Sequence, residues 1–145
     1  MFKHILIPTD GSKRSQAAIQ AGIELAKERG ATITGIYVIP EFHVISYQAE
    51  MLDDSRAQFE SENEARAKKY LAEIEAAAKE AQVGFEGISV SSDHPYEEII
   101  KAAEAKQCDL IVMASHGHKG IKGILLGSET HKVLSHSKIP VLVYR

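Results

Sequence analysis

Residues 112–130, reading VMASHGHKGIKGILLGSET, join an apolar run to a loop punctuated by glycines and then to a segment led by Ser128. Glycine-rich turns and helix starts share one property, which is that backbone N–H groups without local partners converge on an anion and are helped by the helix dipole. No acidic residue falls between Leu110 and Ser128, whereas His116, His118, Lys119 and Lys122 all do. The local charge therefore opposes the chain's net charge of -3, and the chemistry this pattern suits is the capture of a nucleotide's phosphates. Blander readings compete with it. His116, His118, Lys119 and Lys122 also read as solvated loop side chains, with the lysines as mobile point charges if phosphate is present. A metal cluster drawn from His116, His118, His131 and His136 lacks the tight ligand pairs and the cysteine or carboxylate support of zinc sites.

Such a loop works only if strands and helices hold it in place. Residues 3–9 (KHILIPT) have the continuous apolar character of a strand buried on both faces. Asp10, Gly11 and Ser12 supply turn chemistry and a helix cap, Ala17, Ala18, Ala21, Ile23, Leu25 and Ala26 give a small-residue helix face, and Gly30 stops the helix. Residues 32–39 (TITGIYVI) form a second strand that leaves at Pro40. Residues 41–54 have no clean period and predict a loop or a short irregular helix. Over residues 55–82, Ala67, Leu71, Ile74, Ala78 and Ala81 alternate at spacings of four and three, an amphipathic helix whose stripe reads as core packing, with Gly84 as its stop. Strand three is 85–91, a helix follows His94 and Pro95, strand four is 108–114, a short helix spans 128–136, and strand five is 139–144.

Helices of this length between strands imply right-handed crossovers and a doubly wound parallel α/β sheet covered on both faces. Ligands of such sheets sit beyond the carboxyl ends of the strands, where the strand order reverses. The loops after strands one, two and four are expected to converge there. A length of 145 residues suits a single domain, here residues 1–145. A pI near 6.2 gives no basic field for general nucleic-acid binding. Cys108 stands alone and precedes an apolar run, so it reads as a small buried hydrophobe rather than a redox centre. The opening MFKHILIPTDG holds too short an apolar run for a signal peptide or a membrane span, which makes the cytoplasm the expected compartment.

Taken together, the opening ILIPTDGS, the run HPYEEIIKAA, the stretch DLIVMASHG, the LLGS turn and the terminal IPVLVYR resemble the universal stress protein family over essentially the whole chain. Its ATP-binding members carry a glycine, two residues, a second glycine, nine residues, and a glycine with serine or threonine. Here Gly117 is followed by nine residues and then Gly127 and Ser128, while Ala114 stands at the first glycine position. The resemblance implies a five-stranded sheet in the order 3-2-1-4-5 and an ATP or related adenine-nucleotide site with Mg²⁺ carried on the nucleotide. By position, Asp10 and Val38 would line adenine and ribose with Pro8 and Thr9 beside them. Met113, Ala114, His116 and Gly117 would flank ribose and phosphates. Gly127, Ser128, Glu129 and Thr130 would close around the phosphates, with Ser128 near the Mg²⁺. Should the Ala114 position require the left-handed backbone a glycine tolerates, the methyl group would cost about 1–2 kcal/mol and weaken binding by roughly tenfold at most.

The functions this implies are a nucleotide-dependent stress-response regulator, a weak ATP hydrolase, or a nucleotide-free dimeric module. Hydrolysis needs a positioned base and charge stabilisation, and neither is evident in the sequence. The final strand, opened by Pro140 and closed by Tyr144, lies at a sheet edge in this topology. An apolar edge left open is a pairing hazard, and antiparallel pairing across a twofold axis would make a homodimer, as the resemblance also implies.

Overall fold

A computed structural model describes residues 1–43, 49–116 and 126–145, with the side chains of 49–54 excepted. Strand β1 (His4–Pro8) is apolar because it lies in the middle of a sheet, and its Ile5, Leu6 and Ile7 are all fully buried. Ser12 caps helix α1 (Lys13–Arg29) by accepting the Ser15 N–H, and Gly30 ends it at φ 65°. β2 (Thr32–Ile39), α2 (Ala49–Glu80), β3 (Phe85–Ser91), α3 (Pro95–Ala105), β4 (Leu110–Ala114), α4 (Ser128–His136) and β5 (Val141–Tyr144) follow in order. The strands stand as β3-β2-β1-β4-β5 and every neighbouring pair is parallel.

Alternation along the strands divides the core in two. Ile5, Ile7, Ile33 and Val112 pack with Ile19 and Ile23 of α1 and Ile74 and Ala78 of α2. Leu6, Ile36, Ile111 and Met113 pack with Ile99 and Ala103 of α3 and Val133 of α4. From β1 the chain builds outward through β2 to β3, then crosses back and builds outward through β4 to β5. The order reverses between β1 and β4, and in sheets of this kind ligands sit beyond the carboxyl ends of the strands at such a point.

Four boundaries differ from the sequence expectation for physical reasons. α2 begins at Ala49 rather than 55, because Ala49, Glu50, Met51 and Leu52 are good helix formers even where the apolar period is broken. It ends at Glu80 rather than at Gln82, since Gln82 takes the left-handed turn at φ 61° while the Val83 N–H returns to the Ala78 carbonyl. β4 starts at Leu110, later than expected, where Cys108 N–H is spent on the Ala103 carbonyl, and β5 starts at Val141, where Ile139 N–H is spent on Ser137 Oγ.

Asp109 also staples the amino end of the chain, its carboxylate accepting from Lys3 N–H at 2.8 Å and His4 N–H at 3.0 Å. Desolvation pushes its pKa upward, but backbone hydrogen bonds from Lys3, His4 and its own N–H, with the amino terminus nearby, outweigh it and hold the group below the ordinary 3.8. A depressed carboxylate stabilises the fold fully above its unfolded pKa and loses that contribution as pH falls through the folded value. Asp109→Asn is therefore expected to cost about 1 kcal/mol at pH 7, discounted for partial exposure. Urea titrations at pH 7 and pH 2.5 should show the gap between parent and variant narrowing in acid; a gap that widens there would refute the account.

Candidate functional site

The exit of β1 is built by short polar side chains that fold the loop back upon itself. Thr9 is buried and its N–H donates to the Ile36 carbonyl at 3.0 Å, which ties the loop to β2. Its hydroxyl accepts from Gly11 N–H and from Ser15 Oγ, each at 3.1 Å. Asp10 Oδ1 accepts from Ser12 N–H at 2.9 Å, so the aspartate shapes the turn that Ser12 then caps. Gly11 adopts φ +81°, and the ring of Tyr70 from α2 lies directly against its α-carbon. Tyr70 in turn meets the buried Tyr37, with ring centroids 5.8 Å apart. Burial raises the Tyr37 phenol pKa, with Arg66 opposing and Tyr70 and Asp10 adding to the rise.

The exit of β4 meets the start of α4 at very close range. Gly127 N–H donates to the Ser115 carbonyl at 2.6 Å, and Thr130 Oγ1 donates to the Ala114 carbonyl at 2.9 Å. A Cβ on Gly127 would stand 3.2 Å from Ser115 O and 3.4 Å from His116 Cα, which explains glycine at an ordinary φ of -70°. The N-cap of α4 is Gly127, which has no side chain to cap the helix. The amides of its first turn have no intrahelical acceptor. Beside them His116 is buried, with Nδ1 3.0 Å from Ser115 Oγ and Nε2 without a hydrogen-bond partner among the described residues. A buried nitrogen without a partner calls for an explanation, and a missing ligand is one.

A family model described as the Universal stress protein family matches residues 1–145. The chain belongs to the universal stress protein family. It is 35% identical to the universal stress protein MJ0531 of Methanocaldococcus jannaschii, an alignment covering 100% of this chain and 83% of that one. The solved structure of MJ0577, a universal stress protein of the same organism, is 30% identical and superposes with a TM-score of 0.84 over 99% of this chain and 95% of its own. A universal stress protein solved in complex with cAMP is 26% identical, with a TM-score of 0.72 over 99% of this chain and 97% of that one.

Within this universal stress protein, Pro8 ends β1 and Thr9 and Asp10 form its exit loop, Val38 lies near the end of β2, and Met113 and Ala114 end β4. His116 follows them, and Gly127, Ser128, Glu129 and Thr130 open α4. Pro8 and Ala114 thus end β1 and β4, the two strands between which the sheet order reverses. Gly117, His118, Lys119 and Lys122 lie outside the described residues. Ala114 is a strand residue, and it is not among the non-glycine residues of positive φ, which are Phe2, Gln82 and Gln107. The left-handed penalty raised for its methyl group therefore does not apply.

Glu129 sends its carboxylate away from the β4 exit, where Oε2 accepts from Tyr96 N–H of α3 at 2.9 Å. Sequence reasoning missed this contact and also missed Tyr70 over Gly11. Tyr70 could have been read from its spacing, three residues after Ala67 and four before Ile74, on the inward stripe of α2. Cys108 is buried and its thiol is pushed up to about 11, chiefly by desolvation, so it remains protonated at neutral pH. Two surface grooves lie elsewhere, one of about 470 Å³ between α1 and Tyr144 and one of about 290 Å³ between α2 and β3. Neither is lined by Asp10, His116 or Ser128.

Proposed function

We propose that this universal stress protein binds an adenine nucleotide, ATP with Mg²⁺ foremost, at the carboxyl end of its sheet and acts as a homodimeric stress-response regulator in the cytoplasm. The observation that carries the reading is the first turn of α4, which its N-cap Gly127 leaves without a side-chain cap, beside the buried Nε2 of His116, which has no hydrogen-bond partner among the described residues. With Ser115 donating to Nδ1, Nε2 carries the proton and becomes a donor for phosphate oxygen. Backbone amides of Ser128, Glu129 and Thr130 supply further donors at the positive end of the helix dipole. Asp10 and Val38, with Pro8 and Thr9, would line base and ribose, and Met113, Ala114 and Gly117 would flank ribose and phosphates. The related protein solved with cAMP supports an adenine nucleotide as the ligand class. Mg²⁺ prefers oxygen ligands and keeps several waters, so it would ride on the phosphates with the exposed Ser128 hydroxyl as its protein oxygen. When bound, it neutralises phosphate charge.

Calorimetric titration with ATP, ADP, AMP and cAMP, each with and without Mg²⁺, tests this directly. A micromolar Kd for ATP that weakens when Mg²⁺ is chelated is the expected result. No heat and no protection with any of the four would refute the nucleotide reading.

The homodimer rests on β5, which has one sheet neighbour and exposes Leu142 at 39% and Tyr144 at 42%. On the same side Tyr144 joins Ala17, Ala21 and Leu25 of α1 along the larger groove. Antiparallel pairing with a second copy would cover this open edge. Light scattering after size exclusion should give twice 15.9 kDa for the parent and a single 15.9 kDa chain for Leu142→Asp. A parent that runs as a monomer at tens of micromolar would sink the dimer.

A further inference from the structure

We infer that Glu129 is a positioning residue of the proposed nucleotide site, closing the amino end of α3 through Tyr96 N–H and so holding the first turn of α4 where its amides can meet an anion. This rests on the nucleotide reading above, but the contacts behind it do not.

Helices α3 and α4 start side by side after β3 and β4, and each presents a positive dipole end. α3 lacks a side-chain cap from its own N-cap residue His94, and Pro95 at its start has no N–H to offer. The N–H groups of Glu97 and Glu98 turn back to the His94 carbonyl. Tyr96 N–H is left over, and Glu129 takes it from another helix, 33 residues away in sequence. The second carboxylate oxygen of Glu129 lies 3.6 Å from Lys132 Nζ, which itself stands 5.5 Å from the Tyr96 ring centroid. The Tyr96 ring packs on His136 at 5.2 Å. Glu129, Lys132 and His136 are spaced by three and four, so one face of α4 grips Tyr96 along its length.

From the opposite side α4 is held by β4, through Gly127 N–H on Ser115 O and Thr130 Oγ1 on Ala114 O. The first turn is thus clamped between a strand exit and the start of a second helix. The side chains of Glu129 and Thr130 and the N–H of Gly127 are spent on position, which leaves the backbone amides of Ser128, Glu129 and Thr130 for a ligand. The clamp also decides which helix end takes the anion. A carboxylate already occupies α3, and the same carboxylate, turned toward Tyr96 and Lys132, is turned away from the phosphates it would repel.

The test uses the whole protein with Glu129→Ala and Glu129→Gln, the latter keeping an oxygen acceptor for Tyr96 N–H. ATP affinity is read by calorimetry, and hydrogen exchange of the Tyr96 and Ser128–Thr130 amides is read without nucleotide. Glu129→Ala should weaken ATP about tenfold and speed exchange at those amides by at least tenfold, while Glu129→Gln stays within threefold of the parent on both. If Glu129→Ala binds ATP as tightly as the parent, or more tightly, the inference is overturned. Equal loss in both variants would also overturn it, since charge rather than position would then matter. If the parent binds no adenine nucleotide, the site reading falls, and exchange alone judges the clamp: unchanged exchange in Glu129→Ala overturns it, and selective acceleration upholds it. Should Glu129→Ala misfold by circular dichroism, Glu129→Gln decides, because a tenfold loss of affinity there contradicts rescue by a retained acceptor.

Discussion

Gly127→Val is expected to leave the fold intact and to weaken adenine-nucleotide binding by about 100-fold. The backbone at Gly127 is open to any residue, since its φ is -70° and its ψ 158°. What valine cannot share is the space. Its Cβ would sit 3.2 Å from the Ser115 carbonyl oxygen and 3.4 Å from His116 Cα, both main-chain atoms that do not swing aside. The two γ-methyl groups add bulk beyond that point, so α4 must back away from the β4 exit. The short Gly127 N–H to Ser115 O bond would lengthen, and the amides of the first turn would move with it. A displacement near 1 Å in a preorganised donor array costs on the order of 100-fold. Gly127→Ala, which asks its neighbours to yield only a few tenths of an ångström, should lose roughly tenfold or less. Calorimetry on both variants, with circular dichroism to confirm folding, reads the series. Affinity within threefold of the parent for Gly127→Val would mean that the start of α4 does not touch phosphate.

Gly11→Ala should be the most damaging single methyl group among the exits of the sheet, lowering stability by about 3 kcal/mol. Two costs combine. The position lies at φ +81°, where an L side chain is strained by about 1–2 kcal/mol. The added Cβ would also fall 2.3–2.5 Å from three ring atoms of Tyr70, and that ring is backed by Tyr37. Relieving such overpacking typically costs a further 1–3 kcal/mol. Urea denaturation separates the terms by a double-mutant cycle. Tyr70→Ala in the Gly11→Ala background should recover the steric share and leave the backbone share. A loss under 1 kcal/mol for Gly11→Ala, or no coupling between the two sites, would show that Tyr70 does not press on the loop. Because Asp10 is held in the same turn, nucleotide binding should weaken alongside stability.

Local signals in the chain were enough for much of the architecture. The strands over 32–39 and 85–91 and the helix over 128–136 have the expected limits, because apolar runs, Pro40, Gly30 and Ser128 act within a few residues of themselves. The central place of β1 was legible in Ile5, Leu6 and Ile7, which need burial on two faces at once. The phosphate reading of 112–130 rests on charge sign and glycine spacing, and its residues 117–125 lie outside the described ones. The start of α2 was not, since 49–54 lacks an apolar period and its helicity shows only in propensity. Nor were the left-handed glutamines Gln82 and Gln107, which a residue-type rule assigns to glycine or asparagine.

What the amino-acid order settled was therefore the alternation of strand and helix and the parallel sheet. Packing decided the rest. That Ala114 needs no glycine follows from its place inside β4, and that Gly127 does need one follows from a carbonyl twelve residues earlier. Glu129 reads as a phosphate-site acid until α3 is docked beside α4, and Tyr70 reads as core until α2 lies across Gly11. Periodicity reports whether a side chain turns inward, a property of its own helix or strand. Which atom it then meets depends on the separation and crossing of elements far apart in the chain, and those distances exist only once the sheet has been covered.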